Sequence, residues 1–179
     1  MRSMMIAAAA FALTMPGLAQ AAEPQCLTPG EFSALAGYAL PSAIAGATKR
    51  CQSTLSSGAF LPSQGAALAT KHAAGRTASW PVAKAAFLKM SAGTNPQAGA
   101  LIRQMPDESV KEMLDVVLEG MVSQEIPLEK CGTIDTYVRL LSPLPPQNTA
   151  ELIALTVGLA ADDGEKAKLG KISICPAGT

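Results

Sequence analysis

Residues 107–122 read DESVKEMLDVVLEGMV, and this stretch decides the fold class. Most of its apolar residues recur at a spacing of three and four positions: they are Val110, Met113, Leu114, Val117, Leu118, Met121 and Val122. Such spacing aligns the apolar side chains along one stripe of an α-helix, and the charged residues occupy the other face. The stretch therefore predicts a long amphipathic helix whose apolar stripe packs in the core. An adaptable apolar groove along the same stripe is the alternative, because methionine side chains fit varied shapes.

Start and stop signals predict further helices on both sides of this one. Thr28-Pro29-Gly30-Glu31 is a capping box, and Pro41 is expected to end the helix that follows, because proline disfavours a helical residue before it. A second helix is then expected from Pro41 to Cys51. The other predicted helices cover 62–72, 79–90, 97–104, 131–141, and a segment from an N-cap at Asn148 through Leu159. Residues 171–175 alternate polar and apolar side chains, which predicts an extended segment.

Composition supports an all-α chain. Ala and Leu outnumber Val and Ile, which favours helices over strands. The chain of 179 residues is 49% hydrophobic and 16% charged, and this balance excludes an intrinsically disordered chain. Its 14 basic and 14 acidic residues cancel, so nucleic acid and anionic membrane surfaces are excluded as leading partners. We therefore predict a single compact helical domain of six to seven helices with an extended C-terminal tail.

The N-terminal segment has the pattern of a signal peptide. Arg2 is followed by an uncharged apolar run over 4–15, and Ala19-Gln20-Ala21 fits the small-residue rule for signal peptidase. A membrane anchor is the alternative, but the run is shorter than the roughly 20 residues that a spanning helix needs. We expect residues 1–21 to be removed after Ala21. The mature domain would then cover 22–179, carry no transmembrane segment, and be periplasmic or secreted.

Four cysteines are expected to form two structural disulfides, because the chain is expected to be exported and their number is even. Sequence alone allows three full pairings. A topological argument selects Cys26–Cys51 and Cys131–Cys175, since each bond would staple a hairpin of two neighbouring helices. A redox pair or a zinc site fits poorly, because the chain lacks a C-x-x-C motif and has a single histidine, His72.

The sequence contains none of the common catalytic motifs. The chain lacks a G-x-S-x-G elbow and the glycine-rich phosphate-binding fingerprints. His72 lies near Lys71 and Arg76, so all three are interpreted as the basic C-terminal turn of a helix, where cations complement the dipole. Asp162-Asp163-Gly164-Glu165 lacks the ligand spacing of a calcium loop and is predicted to be a solvated turn. No catalytic, cofactor-binding or metal-binding residue is therefore predicted.

Several short segments together resemble a group of exported proteins. The segments are Cys26-Leu27-Thr28-Pro29, Tyr38-Ala39-Leu40-Pro41, Cys51, Trp80-Pro81-Val82-Ala83-Lys84 and Leu144-Pro145-Pro146-Gln147-Asn148-Thr149. In this pattern the chain resembles small exported proteins of unknown function from alphaproteobacteria, over nearly the whole of the mature chain. The resemblance implies export, and it carries no activity, cofactor or catalytic residue.

The leading functional hypothesis is a non-enzymatic module that binds a partner or interacts with the cell envelope. It rests on the expected export, the disulfides and the missing catalytic motifs. Two alternatives stay open. The first is a carrier of a small apolar ligand, with a cavity beside the stripe from Met113 to Met121. The second is a hydrolase or lyase, which would require a polar cleft that holds two carboxylates with perturbed pKa values.

Overall fold

A computed structural model describes residues 26–159, 167–169 and 172–175. Within them the chain forms seven α-helices, which confirms the all-α prediction: α1 (Pro29–Cys51), α2 (Phe60–Ala73), α3 (Arg76–Thr94), α4 (Pro96–Gln104), α5 (Asp107–Glu125), α6 (Cys131–Leu141) and α7 (Pro146–Leu159). A short 3₁₀ turn, Leu128–Lys130, precedes α6. The expected signal peptide and the predicted turn at 162–165 lie outside the described residues.

The C-terminal segment forms a small antiparallel pair of strands, β1 (Ala167–Leu169) and β2 (Ile172–Ile174). The extended segment predicted over 171–175 is thus confirmed in its described part. Strand β2 also lies parallel to Leu27, whose N–H donates to the Ser173 carbonyl at 2.8 Å. The Cys175 N–H in turn donates to the Leu27 carbonyl at 2.8 Å. These bonds hold the end of the chain against the residues that precede α1.

Helix α1 is continuous, so the predicted break at Pro41 is wrong. The predicted capping box does start this helix: the Glu31 N–H donates to Thr28 Oγ1, and the Thr28 N–H donates to Glu31 Oε2. Proline inside a helix removes one backbone hydrogen bond and costs about 3 kcal/mol. Here α1 packs against α2, α3, α5 and α7, and this tertiary packing offsets the local cost.

Helices α2 and α4 start within two residues of their predicted positions, at Phe60 and Pro96, and α3 and α7 also start earlier than predicted. Helix α3 begins at Arg76 and contains Pro81, where the sequence predicted a start at Ser79. Helix α7 begins at Pro146, so the predicted N-cap at Asn148 is wrong. Proline suits the first helical position because its missing N–H would have no partner there.

The predicted disulfide pairing is wrong. The bonds are Cys26–Cys175 and Cys51–Cys131, with Cα–Cα distances of 5.0 and 5.4 Å. Because α1 is one helix of 23 residues, its ends are about 35 Å apart, and Cys26 cannot reach Cys51. The β2 contact brings Cys175 to Cys26, while α6 packs beside α2 near the end of α1. Neither bond staples a hairpin of neighbouring helices; each joins segments that are far apart in sequence.

Three apolar clusters follow the length of α1. Near its start Leu27 and Phe32 pack with Ala86, Ala154 and Ile174. In its middle the aromatic rings of Tyr38 and Trp80 lie 5.0 Å apart between their centroids, in a cluster with Ala83, Ile102, Val110 and Leu114. Near its end the buried members are Ala47, Cys51, Leu61 and Cys131. Helix α1 is therefore the central element on which the core is built.

Only half of the apolar stripe of α5 lies in the core. Val110 and Leu114 are buried, and Leu118 and Val122 pack against core clusters. The outer half is exposed, and it consists of Met113, Val117 and Met121. The prediction that the whole stripe is buried is wrong for these three residues, because α5 packs on α1 along one side only.

Substitution of Gly46 tests the close approach of α1 and α5. A Cβ atom at Gly46 would lie 2.6 Å from the Glu119 carbonyl oxygen and 3.0 Å from Val122 Cβ. We expect Gly46→Ala to lower the free energy of unfolding by about 1 to 3 kcal/mol, because the backbone of α5 must move. Gly120→Ala is the matched control, since a Cβ there meets nothing within 4 Å. It should stabilise the helix by about 0.5 to 1 kcal/mol in the same urea titration. A stabilising Gly46→Ala would contradict the described packing.

Candidate functional site

Small side chains let α1, α3 and α7 meet closely at one point. A Cβ atom at Gly37 would lie 3.3 Å from Ala150 Cβ and 3.6 Å from Ser79 Oγ. Beside this point the three helices separate and leave an open groove of about 560 Å³. Its small lining residues are Gly30, Ser33, Ala34, Gly75, Ala78, Ser79, Ala150 and Ala154. The groove exists because these residues do not fill the space between the helix axes.

The two ends of the groove differ in polarity. Gln147 lies at the end where α3 begins, because a Cβ atom at Gly75 would be 3.6 Å from Gln147 Nε2. Val82 of α3 and Leu155 of α7 line the opposite end of the groove, and these residues are 46% and 64% exposed. These two side chains give this end of the groove an apolar rim.

Among the residues that the structure describes, Glu151 is the only ionisable side chain that lines the groove. It lies one helical turn after Gln147 on α7 and is exposed. Within the described part of the chain, no ion pair or hydrogen bond of its carboxylate is found. By contrast, the nearby carboxylate of Glu31 accepts from Lys89 Nζ at 2.9 Å and from the cap N–H of Thr28. The groove thus presents one carboxylate, one amide and an otherwise mostly apolar lining.

A smaller polar pocket of about 200 Å³ lies between α1, α3 and α5. Arg76 is its central residue: Nη1 donates to Asp115 Oδ2 at 2.8 Å, and Nη2 donates to Asp115 Oδ1 and to Ser42 Oγ. The guanidinium also lies 4.4 Å from the centroid of the Tyr38 ring. The Arg76 Nε–H also donates to the Tyr38 carbonyl, so five interactions hold Arg76 in place, and the cluster ties three helices together.

The polar pocket does not present a free pair of carboxylates. Asp115 is paired with Arg76, and Glu108 accepts from Lys111 Nζ at 2.7 Å. Glu112 is the one lining carboxylate without a partner in the described region. The Tyr38 hydroxyl is buried without a hydrogen-bond partner among the described residues, and burial, followed by the charge of Asp115, raises its pKa to about 12. This geometry serves structural cohesion better than acid–base chemistry.

His72 is buried at the last turn of α2, and burial, together with the charge of Lys71, lowers its pKa. The predicted role as a dipole-complementing cation is therefore wrong for His72, which is neutral near pH 7. Its Nδ1 atom, where a catalytic carboxylate would bind, has no partner among the described residues. Lys71 donates instead to the carbonyls of Ser142 and Leu144 after α6, and Arg76 belongs to α3. The three basic residues thus have three different roles.

Acidification from pH 7.5 to 5 is expected to destabilise the protein through His72. The unfolded histidine has a pKa near 6.5 and the folded one a lower pKa, so the unfolded state binds the proton first. The contribution of His72 to the free energy of unfolding is present in full above pH 6.5 and is lost as the pH falls through the pKa of the folded state. Urea titrations across this range should show a slope that His72→Gln removes, since His72 is the only histidine. An equal slope in the variant would refute this assignment, because carboxylates titrate mainly near pH 4.

Among the described residues, no group of three or more His, Cys, Asp or Glu side chains is placed to hold a metal ion. All four cysteines are disulfide-bonded. None of the described helices combines the length and the apolar character that crossing a bilayer requires.

Comparison of the chain with family models, with curated proteins and with solved structures finds no match. The candidate site therefore rests on the geometry of this chain. The expected cavity beside the stripe from Met113 to Met121 does not coincide with the groove, whose lining includes none of these residues. The sequence feature that indicates the groove is the set of small residues at helical spacing within 30–34, 75–79 and 150–154. This feature does not reveal which helix faces pack against each other.

Proposed function

We propose that this protein is an exported, non-enzymatic binding module and that the groove between α1, α3 and α7 takes a small apolar ligand. The observation that carries this proposal is the shape and lining of the groove. Its volume of about 560 Å³ falls within the range of roughly 300 to 1,000 Å³ that is typical of small-molecule sites. Such sites combine a mostly apolar lining with a few placed polar groups, as Gln147 and Glu151 do here.

The proposed export is supported by the disulfides. Both bonds are compatible with an oxidising compartment, since cytosolic thiols are normally kept reduced. Removal of residues 1–21 after Ala21 remains a prediction, and N-terminal sequencing of the protein from its host would test it. A mature N-terminus at Ala22 is the expected result, and an intact Met1 in the exported fraction would contradict it.

A groove-filling variant tests the ligand site directly. Ala78→Leu would place a larger apolar side chain in the groove, while Ala66→Leu on α2 leaves it open, since Ala66 is exposed outside the lining. The probe is N-phenyl-1-naphthylamine, an uncharged apolar fluorophore whose emission rises in apolar surroundings. We expect the wild type and Ala66→Leu to bind it equally, and Ala78→Leu to bind at least tenfold more weakly.

Two outcomes of this titration would contradict the proposed site. The first is no emission increase with the wild-type protein at any concentration up to saturation of the dye in buffer. The second is equal binding by Ala78→Leu and Ala66→Leu when circular dichroism shows both variants to be folded. The second outcome would place the bound dye elsewhere on the protein.

A further inference from the structure

We infer that the ligand of the groove is a single-chain amphiphile with a cationic head group, and that Glu151 binds this head group. The inference rests on the proposed function, because it specifies the chemistry of the same groove. Its basis is the distribution of charge and apolar surface along the lining.

The apolar part of such a ligand fits the end of the groove lined by Val82 and Leu155. Both side chains are large and substantially exposed, and the nearby floor residue Ala154 is buried. A ligand chain that covers this apolar surface removes it from water, which favours binding. The lining of α7 runs from Gln147 to Leu155, which corresponds to a length of about 12 Å at the helical rise per residue. This length and the volume suit one extended chain.

The charge of the head group is inferred from the charged and polar side chains that line the groove. Glu151 and Gln147 lie one turn apart on α7, so a carboxylate oxygen and an amide oxygen can accept hydrogen bonds from the same ammonium group. No described Lys or Arg lines the groove, and an anionic head group would therefore meet the Glu151 carboxylate without a counter-charge from these residues. The charge of the groove thus favours cationic over anionic amphiphiles.

Five other carboxylates of the described residues are already engaged in ion pairs. Those of Glu31, Asp107, Glu108, Asp115 and Glu119 each accept from a lysine or arginine of the chain. The nearby base Lys89 is held by Glu31 at 2.9 Å. Within the described part of the chain, no cation neutralises Glu151. Its carboxylate is therefore left for a ligand.

Matched amphiphiles test the head-group preference. Decylamine and decanoate have chains of the same length and opposite charges at pH 7, and each is titrated against bound N-phenyl-1-naphthylamine below its micelle concentration. With the wild-type protein we expect decylamine to displace the dye at a concentration at least tenfold lower than decanoate. Glu151→Gln should reduce this preference to less than threefold, and Glu151→Lys should reverse it.

Glu129→Gln is the matched control, because Glu129 is exposed and lies outside the groove. It should keep the wild-type preference for decylamine. Equal displacement by decylamine and decanoate in the wild type would overturn the inference and leave the proposed groove intact. An unchanged preference in Glu151→Gln would likewise overturn it. A wild-type protein that does not bind the dye would instead overturn the proposed function itself, so the two failures are distinguishable.

Discussion

Replacement of both Cys26 and Cys175 by serine is expected to lower the free energy of unfolding by about 4 to 5 kcal/mol. The bond joins residues 149 positions apart, so its loss frees nearly the whole described chain in the unfolded state. In the chain-entropy model, the stabilisation by a disulfide grows with the length of the loop that it closes. A loss of this size is a large share of the roughly 5 to 15 kcal/mol that a typical domain has.

The loss should be measured by urea denaturation of the wild type and the double variant under non-reducing conditions. The double variant Cys51→Ser with Cys131→Ser is the internal comparison, because its bond spans 80 positions and its two cysteines are nearly fully buried. A non-reducing peptide map should recover Cys26 linked to Cys175. Recovery of Cys26 linked to Cys51, or a loss below about 1 kcal/mol in the Cys26/Cys175 variant, would contradict the assigned role of the bond.

Asp115→Ala is expected to lower the free energy of unfolding by about 2 to 3 kcal/mol. The Asp115 carboxylate accepts from two nitrogens of Arg76 and also from the hydroxyl of Ser42, which is buried. Its removal leaves the Arg76 guanidinium, whose side chain is 18% exposed, without a counter-charge. The expected loss is smaller than for a fully buried pair, because the Asp115 side chain is 39% exposed.

Glu119→Ala on the same helix is the control for loss of an ion pair in general. Glu119 pairs with Lys49 at 3.1 Å, but these side chains are 37% and 66% exposed. Exposed pairs of this kind typically contribute less than about 1 kcal/mol. Thermal and urea denaturation should therefore separate the two variants clearly. Equal losses would show that the cluster around Arg76 contributes no more than an ordinary surface pair.

Sequence patterns that span only a few residues predict the local structure correctly. The capping box at Thr28 and the periodic stretch 107–122 both form the predicted helices, and 131–141 has the predicted bounds. These signals depend on contacts between positions three and four apart, which the sequence displays directly. The predicted fold class followed from them.

The errors in the prediction have a common origin. Pro41 and Asn148 are local signals for a helix boundary, yet each lies inside a helix. In both cases the local preference amounts to a few kcal/mol at most, and packing over a whole helix face exceeds it. The α5 stripe is a different case. Its periodicity correctly predicts an apolar helix face, but it does not predict how much of that face a neighbouring helix covers, and the outer half of the stripe is exposed.

Helix content, the presence of caps and an even set of cysteines follow from local sequence alone, because these properties depend on residue type and short spacing. The disulfide pairing and the groove depend on which distant faces meet. A continuous α1 separates Cys26 from Cys51 by the length of the helix, and close packing at Gly37 leaves open space beside Ala150. Contacts over long sequence separations set both features, and no short pattern records them.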